Sequence, residues 1–421
     1  MKYNTPDFNA ILRSEADNFI SKVYGMPKLP RQYAQDILRE TQNFIQNDIL
    51  ANIKKCFESQ VPTVDIDNVL KKFESPFSHV LSDYRLLKYF MEYKDYVSPI
   101  SYEVGEIDVT VRTRSGPKLQ IKKCYAQHVP LCRTLKQFRE SPNALDDILS
   151  YMEYLKNNTD TVENFIQCER WSKQLEKFSE NDIVILLVKY YDDFECNNAL
   201  GSSCLKLGGV YVSIPCLPVE CQSSLDYIFL ALLFETRFRC FSDEKIFAPL
   251  IDELKFLEKE CIFIDLPCGP QSVYFVSCLL LGDNLGVNFV GGFAEGFTAN
   301  FYCRFCKTPK LIMDGQCVED KSSLRTVESY NVDCAVNNVT ETGVKFDSVL
   351  NSLPSFHIVN NYSVDIFHDL AEGTCHYVML HVLRHCIPNY YTLDFIVSEA
   401  HSPEQGTRGG FGRVSVCEKK V

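Results

Sequence analysis

Three groups of side chains in this sequence could do chemistry. The first is a set of acids. "LVKYYDDFE", Leu187 to Glu195, runs from an apolar stretch into Asp192 and Asp193, and "LLLGDN" ends a second apolar stretch on Asp283. Carboxylates at neighbouring strand ends can share two cations about 3.5–4 Å apart, an arrangement that activates a water or hydroxyl and stabilises a leaving oxygen. Mg2+, or Mn2+ in its place, suits such all-oxygen ligands. Each aspartate taken singly is also an ordinary turn former.

The second group is "FYCRFCK", where Cys303 and Cys306 form a C-x-x-C pair. A structural Zn2+ needs four ligands. Five of the eight histidines fall between His357 and His385, so two of them can complete the set. His368 is the first choice, with His376 or His381 as the second. A redox role is the weaker reading, since no thioredoxin-like context surrounds the pair. The third group is "DIFHDLAEG", in which Asp365, His368 and Glu372 share one helical face at i, i+3 and i+7. That face is either a solvated stripe or a means of aiming an acid or base, with Glu372 as the third carboxylate. No G-x-S-x-G elbow, Walker A loop or G-x-G-x-x-G loop is present.

The elements around these residues change period along the chain. Residues 7 to about 100 read as amphipathic helices. From Glu106, Ile107, Val109 and Val111 alternate with polar residues, "RSGP" turns, and Leu119 and Ile121 alternate again, which predicts a β-hairpin. Its outer residues Arg112, Arg114, Lys118, Lys122 and Lys123 are the densest basic cluster, either a solvated face or a phosphate contact. Helical patterns return from Ser141 to about Phe178.

"DIVILLVKYYDD" then reads as a strand buried on both faces. "CLKLGGVYVSIPCLP" is a second strand, and "LDYIFLALLFE" a third strand or a buried helix. "DEKIFAPLIDELKFLEKE" is a helix with Ile246, Leu250, Leu254 and Leu257 on one face, and "VYFVSCLLLGDN" a further strand. Three strands, a helix and a strand is the order of a ribonuclease-H-like core, in which the first and fourth strands are neighbours and Asp192 and Asp283 converge. The expected fold is α+β or α/β. It divides into a helical region (1–100), a hairpin with a helical linker (101–180), the core (181–300), a zinc-knuckle insertion with its following helix (301–397) and a disordered tail (398–421).

With 46% hydrophobic residues in 421, the chain can build a large core. No signal peptide precedes it, and no apolar run reaches the roughly 18 residues of a membrane span, so a soluble, intracellular chain with its 19 cysteines mostly reduced is expected. The net charge of −12 argues against a simple electrostatic DNA binder and demands a local basic surface for any such role.

Four stretches, "YYDDFECNNALGS", "KLGGVYVSIPCLP", "LGDNLGVNFVGGFAEGFTANFYCRFCK" and "VDIFHDLAEGTCHYVMLHVL", resemble the transposase-like proteins of animal genomes related to the CACTA (En/Spm) group. The likeness spans Pro27 to Val397, and the order and spacing of the four stretches make it specific. That family is similar to other DDE/D transposases with a ribonuclease-H-like core, and to the V(D)J recombinase in its cysteine/histidine-bearing insertion.

The resemblance implies that Asp192, ahead of Asp193, is the first catalytic acid and Asp283 the second, with Glu372 or a residue further downstream as the third. It implies Cys303 and Cys306 as the zinc pair, and His368 as a further ligand or active-site residue. The implied activity is metal-dependent cleavage of a DNA phosphodiester and joining of the 3′-hydroxyl to target DNA, in the nucleus, with DNA as partner, a homo-oligomer as a possible assembly and no membrane.

Two departures qualify this. The likeness stops after "NYYTLDFIV", and no zinc-finger-like module opens the chain, so a truncated protein is expected. A catalytically dead, co-opted nuclear DNA- or protein-binding protein is the alternative, and an unrelated metal-dependent hydrolase the second.

Overall fold

Continuous apolar runs build the sheet. The structure, a computed structural model, describes residues 8–389 apart from residues 27–28, 61–69, 74, 93–95, 114–115, 141–142, 159, 181, 197–205, 223 and 267–268. The expected disordered tail lies outside the described residues. Seven strands, β1 (Ile100–Thr113), β2 (Gly116–His128), β3 (Ile183–Glu195), β4 (Lys206–Ser213), β5 (Ile228–Glu235), β6 (Ile262–Leu266) and β7 (Gly269–Gly282), form one sheet in the order β1-β2-β5-β4-β3-β7-β6. Only β3 and β7 run parallel, so the sheet is mixed and the class α+β.

Val184 to Val188 of β3 are buried on both faces, as their unbroken apolar run requires. The helix Asp243–Lys259 joins β5 to β6 and turns Ile246, Leu250, Leu254 and Leu257 into the same core. Each such side chain contributes roughly 1.5–3 kcal/mol. "LDYIFLALLFE" resolves as strand β5, consistent with a run too short for a buried helix.

The expected hairpin begins earlier, at Ile100. The helical pattern from Ser141 is interrupted: Asn164 and Gln167 form a capping box that separates the helices Ala144–Asn157 and Glu169–Leu175. β6 had no counterpart in the sequence reading. Ile262–Leu266 pairs antiparallel with the start of β7, Leu266 standing opposite Gly269, whose φ is 115°.

The N-terminal helices Phe8–Tyr24, Arg31–Asn43 and Asp83–Glu92 share a smaller cluster built on Ile20, Leu38, Phe77, Val80 and Leu86. A second compact unit, Val364–Val421, contains a π-helical stretch, Phe367–Thr374, that continues into the helix Cys375–Asn389.

The β3–β7 pairing carries one irregularity. Leu187 pairs with Ser277 but Val188 with Leu279, so Cys278 is an extra residue bulged out of the ladder. Buried Asn361 holds the bulge: its Nδ2 donates to the Cys278 carbonyl at 2.7 Å, and its own carbonyl accepts from Leu280 N–H at 2.8 Å. Beside it lies Lys189, 1% exposed, with its ammonium over the Phe356 ring. Among the described residues neither Lys189 Nζ nor Glu258 Oε2 has a hydrogen-bond partner. Burial pushes the Lys189 amine down to about 7 and the Glu258 carboxyl up.

Two expectations follow from this corner of the core. Asn361→Ala leaves a buried carbonyl unsatisfied and is expected to cost about 1–3 kcal/mol in urea unfolding. At pH 7 to about 10 the unfolded chain holds a proton at Lys189 that the folded chain releases, so this residue's penalty to stability shrinks as pH rises. Lys189→Met should therefore stabilise the protein by roughly a few kcal/mol at pH 7, with the gain fading toward pH 10. A gain independent of pH would show that the amine is not held neutral.

Candidate functional site

The bulge decides which aspartate stands beside Asp283. An unbroken register would continue from Leu187–Ser277 to set Tyr191 against Leu281 and Asp193 level with Asp283. With Cys278 bulged out, Tyr191 pairs with Gly282, so Asp192 and Asp283 are the residues that follow the last pair, Asp192 still within β3 and Asp283 just past the end of β7. β3 does not stop there, because it runs on to Glu195 in antiparallel pairing with β4. The paired aspartates are thus inside a strand, and alternation sends them to opposite faces.

Asp192 is half-buried and close enough to Tyr211 that, after burial, it helps raise the phenol's pKa. Asp283 is the N-cap of the helix Asn284–Val290, its Oδ1 accepting from Gly286 N–H at 2.5 Å. A Cβ at Gly286 would lie 2.9 Å from both that oxygen and the Tyr191 ring, so only glycine leaves the cap intact.

Asp193 on the opposite face is already engaged. Its Oδ1 accepts from Tyr191 OH at 2.6 Å, and its Oδ2 from Arg239, which also donates to Tyr191 OH. The Arg239 guanidinium lies 3.8 Å over the Phe289 ring and 3.8 Å from Glu295, which Lys345 joins at 2.5 Å. Burial, and then the nearby Glu244, push the Asp243 carboxyl up to about 6, against the pull of Arg239.

This arginine-centred cluster was missed in the sequence reading. Its one legible sign is the Gly208–Gly209 pair within a strand. A Cβ at Gly208 would meet Tyr191 OH at 2.7 Å, and one at Gly209 the Tyr211 ring at 2.9 Å. The two glycines make room for a tyrosine on each face.

Cys303 and Cys306 are both half-buried. Phe305 N–H donates to Cys303 Sγ at 3.3 Å, and the Cys306 backbone pairs with Leu324 in an isolated bridge. Fully buried Arg325 supports the turn: its Nε donates to the Cys303 carbonyl at 3.2 Å, its Nη1 to Asp333 at 3.0 Å and its Nη2 to the Thr342 carbonyl at 2.7 Å. Between the cysteines, Arg304 donates to Asn284 Oδ1 at 2.7 Å, tying the turn to the helix that Asp283 caps.

Burial raises the Cys303 thiol. At Cys306 burial pulls the same way, but the Thr308 hydroxyl and N–H, then Cys303, outweigh it and leave that thiol below its ordinary value. A cavity of about 330 Å³ opens beside Cys306, lined in part by Phe305, Cys317, Asp320 and Leu324.

The remaining expected residues belong to the second unit. There the Asp365–His368–Glu372 face forms: Asp365 Oδ2 lies 2.5 Å from His368 Nδ1, and Glu372 Oε2 4.0 Å from His368 Nε2. His376 and His381 lie on the following helix, exposed, with His376 edge-on to Tyr377.

These residues fit a metal in part. Mg2+ is commonly held by one or two carboxylates together with substrate phosphates, and Asp192 and Asp283 supply two. The Cys303–Cys306 turn, with the Phe305 N–H aimed at the Cys303 sulfur, offers two of the four ligands that a tetrahedral Zn2+ would need. Among the described residues no group of three or more His, Cys, Asp or Glu could hold a metal ion, and no helix is long and apolar enough to cross a membrane. The chain matches no protein-family model, and no curated protein matches it.

The split between the thiols has a direct readout. Iodoacetamide near pH 7.5 should label Cys306 several-fold faster than Cys303, and Thr308→Val should slow Cys306. Trypsin cleaves at Arg304 and Lys307, so mass spectrometry reads the two sulfurs on separate peptides. Equal rates would contradict the assigned hydrogen bonds.

Proposed function

We propose that this chain is a transposase-like protein of the DDE/D type, whose ribonuclease-H-like core comprises β3, β4, β5, the helix Asp243–Lys259 and β7. The observation that carries this reading is the pairing of Tyr191 with Gly282 on adjacent parallel strands, which makes Asp192 and Asp283 the next residue of each segment. The strand order β5-β4-β3-β7 is the one such a core requires.

In this reading Asp192 and Asp283 hold Mg2+ or Mn2+, and Cys303 and Cys306 supply two ligands to Zn2+. Bound at the acids, the divalent ion supplies Lewis-acid activation of a water or 3′-hydroxyl at a DNA phosphodiester. The chain's own part is positional. The bulge sets Tyr191 opposite Gly282, the Gly286 amide orients the Asp283 carboxylate, and Arg304 braces Asn284 from the cysteine turn. A nuclear location and a DNA partner belong to the same reading, with a homo-oligomer as its assembly.

A second reading, a co-opted protein that binds DNA or protein without catalysis, is favoured by a specific observation. Asp193 is neutralised by Arg239, and one Asp283 oxygen is spent on a helix cap.

Nicking of supercoiled DNA decides between them. Activity should require Mg2+ or Mn2+. Asp192→Asn and Asp283→Asn should each lower it at least about 100-fold, as loss of several kcal/mol of transition-state stabilisation implies. Asp193→Asn should change it only a few-fold. DNA binding without nicking selects the co-opted reading, and turnover of a small phosphate ester without any action on DNA sinks both.

A further inference from the structure

The β1–β2 ribbon leaves the sheet almost as soon as it forms. β2 touches β5 only at Gln127 and His128, whereas β1 and β2 pair with each other from Ile100–His128 out to Thr113–Gly116. The base is fixed. Val104, Cys124 and Ala126 are buried in the main core, Tyr102 OH donates to the Ile246 carbonyl, and Gly105 lies so close under Phe241 that a Cβ would be 2.5 Å from its ring. A bulge at Val104 adds local twist where the arm departs. Beyond it, eight residues per strand project roughly 27 Å at about 3.4 Å each.

The arm's chemistry differs from that of the rest of the chain. Residues 106–123 hold five basic side chains, Arg112, Arg114, Lys118, Lys122 and Lys123, against two acids, Glu106 and Asp108, in a protein of net charge −12. Lys123 bonds Glu103 at the base, at 2.7 Å. Lys118 and Lys122 face Val111 and Ile107 across the ladder and share one face, about 14 Å apart along the strand. Leu119 and Ile121 on the other face are 72% and 64% exposed. Lysines also blunt open sheet edges. Edge protection, however, does not require two large aliphatic side chains left open beside the lysines.

We propose that the β1–β2 arm is a docking surface for double-stranded DNA, with Lys118 and Lys122 contacting phosphates and the ribbon lying in the major groove. Charge complementarity selects a polyanion. The ribbon selects B-form DNA among polyanions, because its major groove is about 12 Å wide and admits two strands, whereas that of A-form RNA is deep and narrow. The inference rests on the DNA-directed reading above and names its contact surface.

The test titrates the full chain onto a fluorescein-labelled DNA duplex of mixed sequence and follows anisotropy over a series of salt concentrations. Lys118→Gln/Lys122→Gln is expected to weaken binding about tenfold at low salt and to reduce the slope of log K against log salt by about 1.8, two phosphates' worth. Lys118→Arg/Lys122→Arg should keep the slope, which separates lost charge from lost folding. Lys173→Gln, an exposed lysine on the helix Glu169–Leu175, should change nothing.

An unchanged slope in the double Gln variant overturns the proposal. So does an equal loss measured with an A-form RNA duplex or with an acidic peptide in place of DNA. Asp283→Asn keeps the two readings apart. If nicking never occurs while the arm's slope behaves as expected, catalysis falls and the arm stands. If nicking persists while the arm variant binds normally, the arm falls alone.

Discussion

The parallel pairing of β3 with β7, and the single bulge within it, is the constraint on which the candidate site depends. A side-chain period of two means that one inserted residue moves every later position of β7 by one step against β3. Cys278 is that residue. It sets Tyr191, and not Asp192, opposite Gly282, the residue before Asp283, and Asn361 fixes it by satisfying its carbonyl. The position of an acid pair at the rim of the sheet is thus set by an amide several residues below it. Lys189 and Glu258, buried without full hydrogen bonding, show that this corner of the core is not optimised for stability.

Both faces of the rim are arranged around tyrosines given space by glycine. On one face Tyr191 reaches Asp193 and Arg239 past Gly208, and on the other Tyr211 occupies the room above Gly209 and lies near Asp192. The adjacent aspartates consequently have different electrostatic surroundings. Asp193 is matched by a guanidinium stacked on Phe289. Asp192 has an aromatic neighbour, Tyr211, whose phenol ionises less readily, first because it is buried and then because the acid is near. Two identical residues side by side in sequence have been given two different surroundings by the pleat.

Much of the sheet was legible because its signals are local. The apolar run of β3, the alternation of the hairpin and the helical face of Ile246, Leu250, Leu254 and Leu257 are each contained in a short window. β6 was not legible, because Ile262–Leu266 is only five residues long and offers too short a window for a period. The strand limit was misplaced too. A DD pair after an apolar run suggests a terminus, but β4 supplies ladder partners as far as Lys206, and β3 continues against them.

The least legible features were those joining distant segments. Arg239, Glu295 and Lys345 carry no motif and meet only through tertiary packing, and the Asn361–Cys278 bond spans 83 residues. Within the second unit, by contrast, the Asp365–His368–Glu372 spacing became actual contacts, since helical periodicity is itself a local rule.

The cysteine turn brings these threads together. Its shape is imposed from behind by Arg325, whose guanidinium is fully buried against Asp333 and the Thr342 carbonyl while its Nε holds the Cys303 carbonyl. A buried charge pair of this kind contributes little net stability, but breaking it leaves an uncompensated charge, so it defines one backbone arrangement sharply. The two sulfurs therefore sit in a preset geometry, with an amide donor already aimed at one of them. Arg304, between them, extends that order to Asn284 and hence to the first turn of the helix capped by Asp283. The acid pair and the cysteine pair are parts of one bonded framework, so a change at the sulfurs reaches the carboxylate through two side chains and a helix terminus.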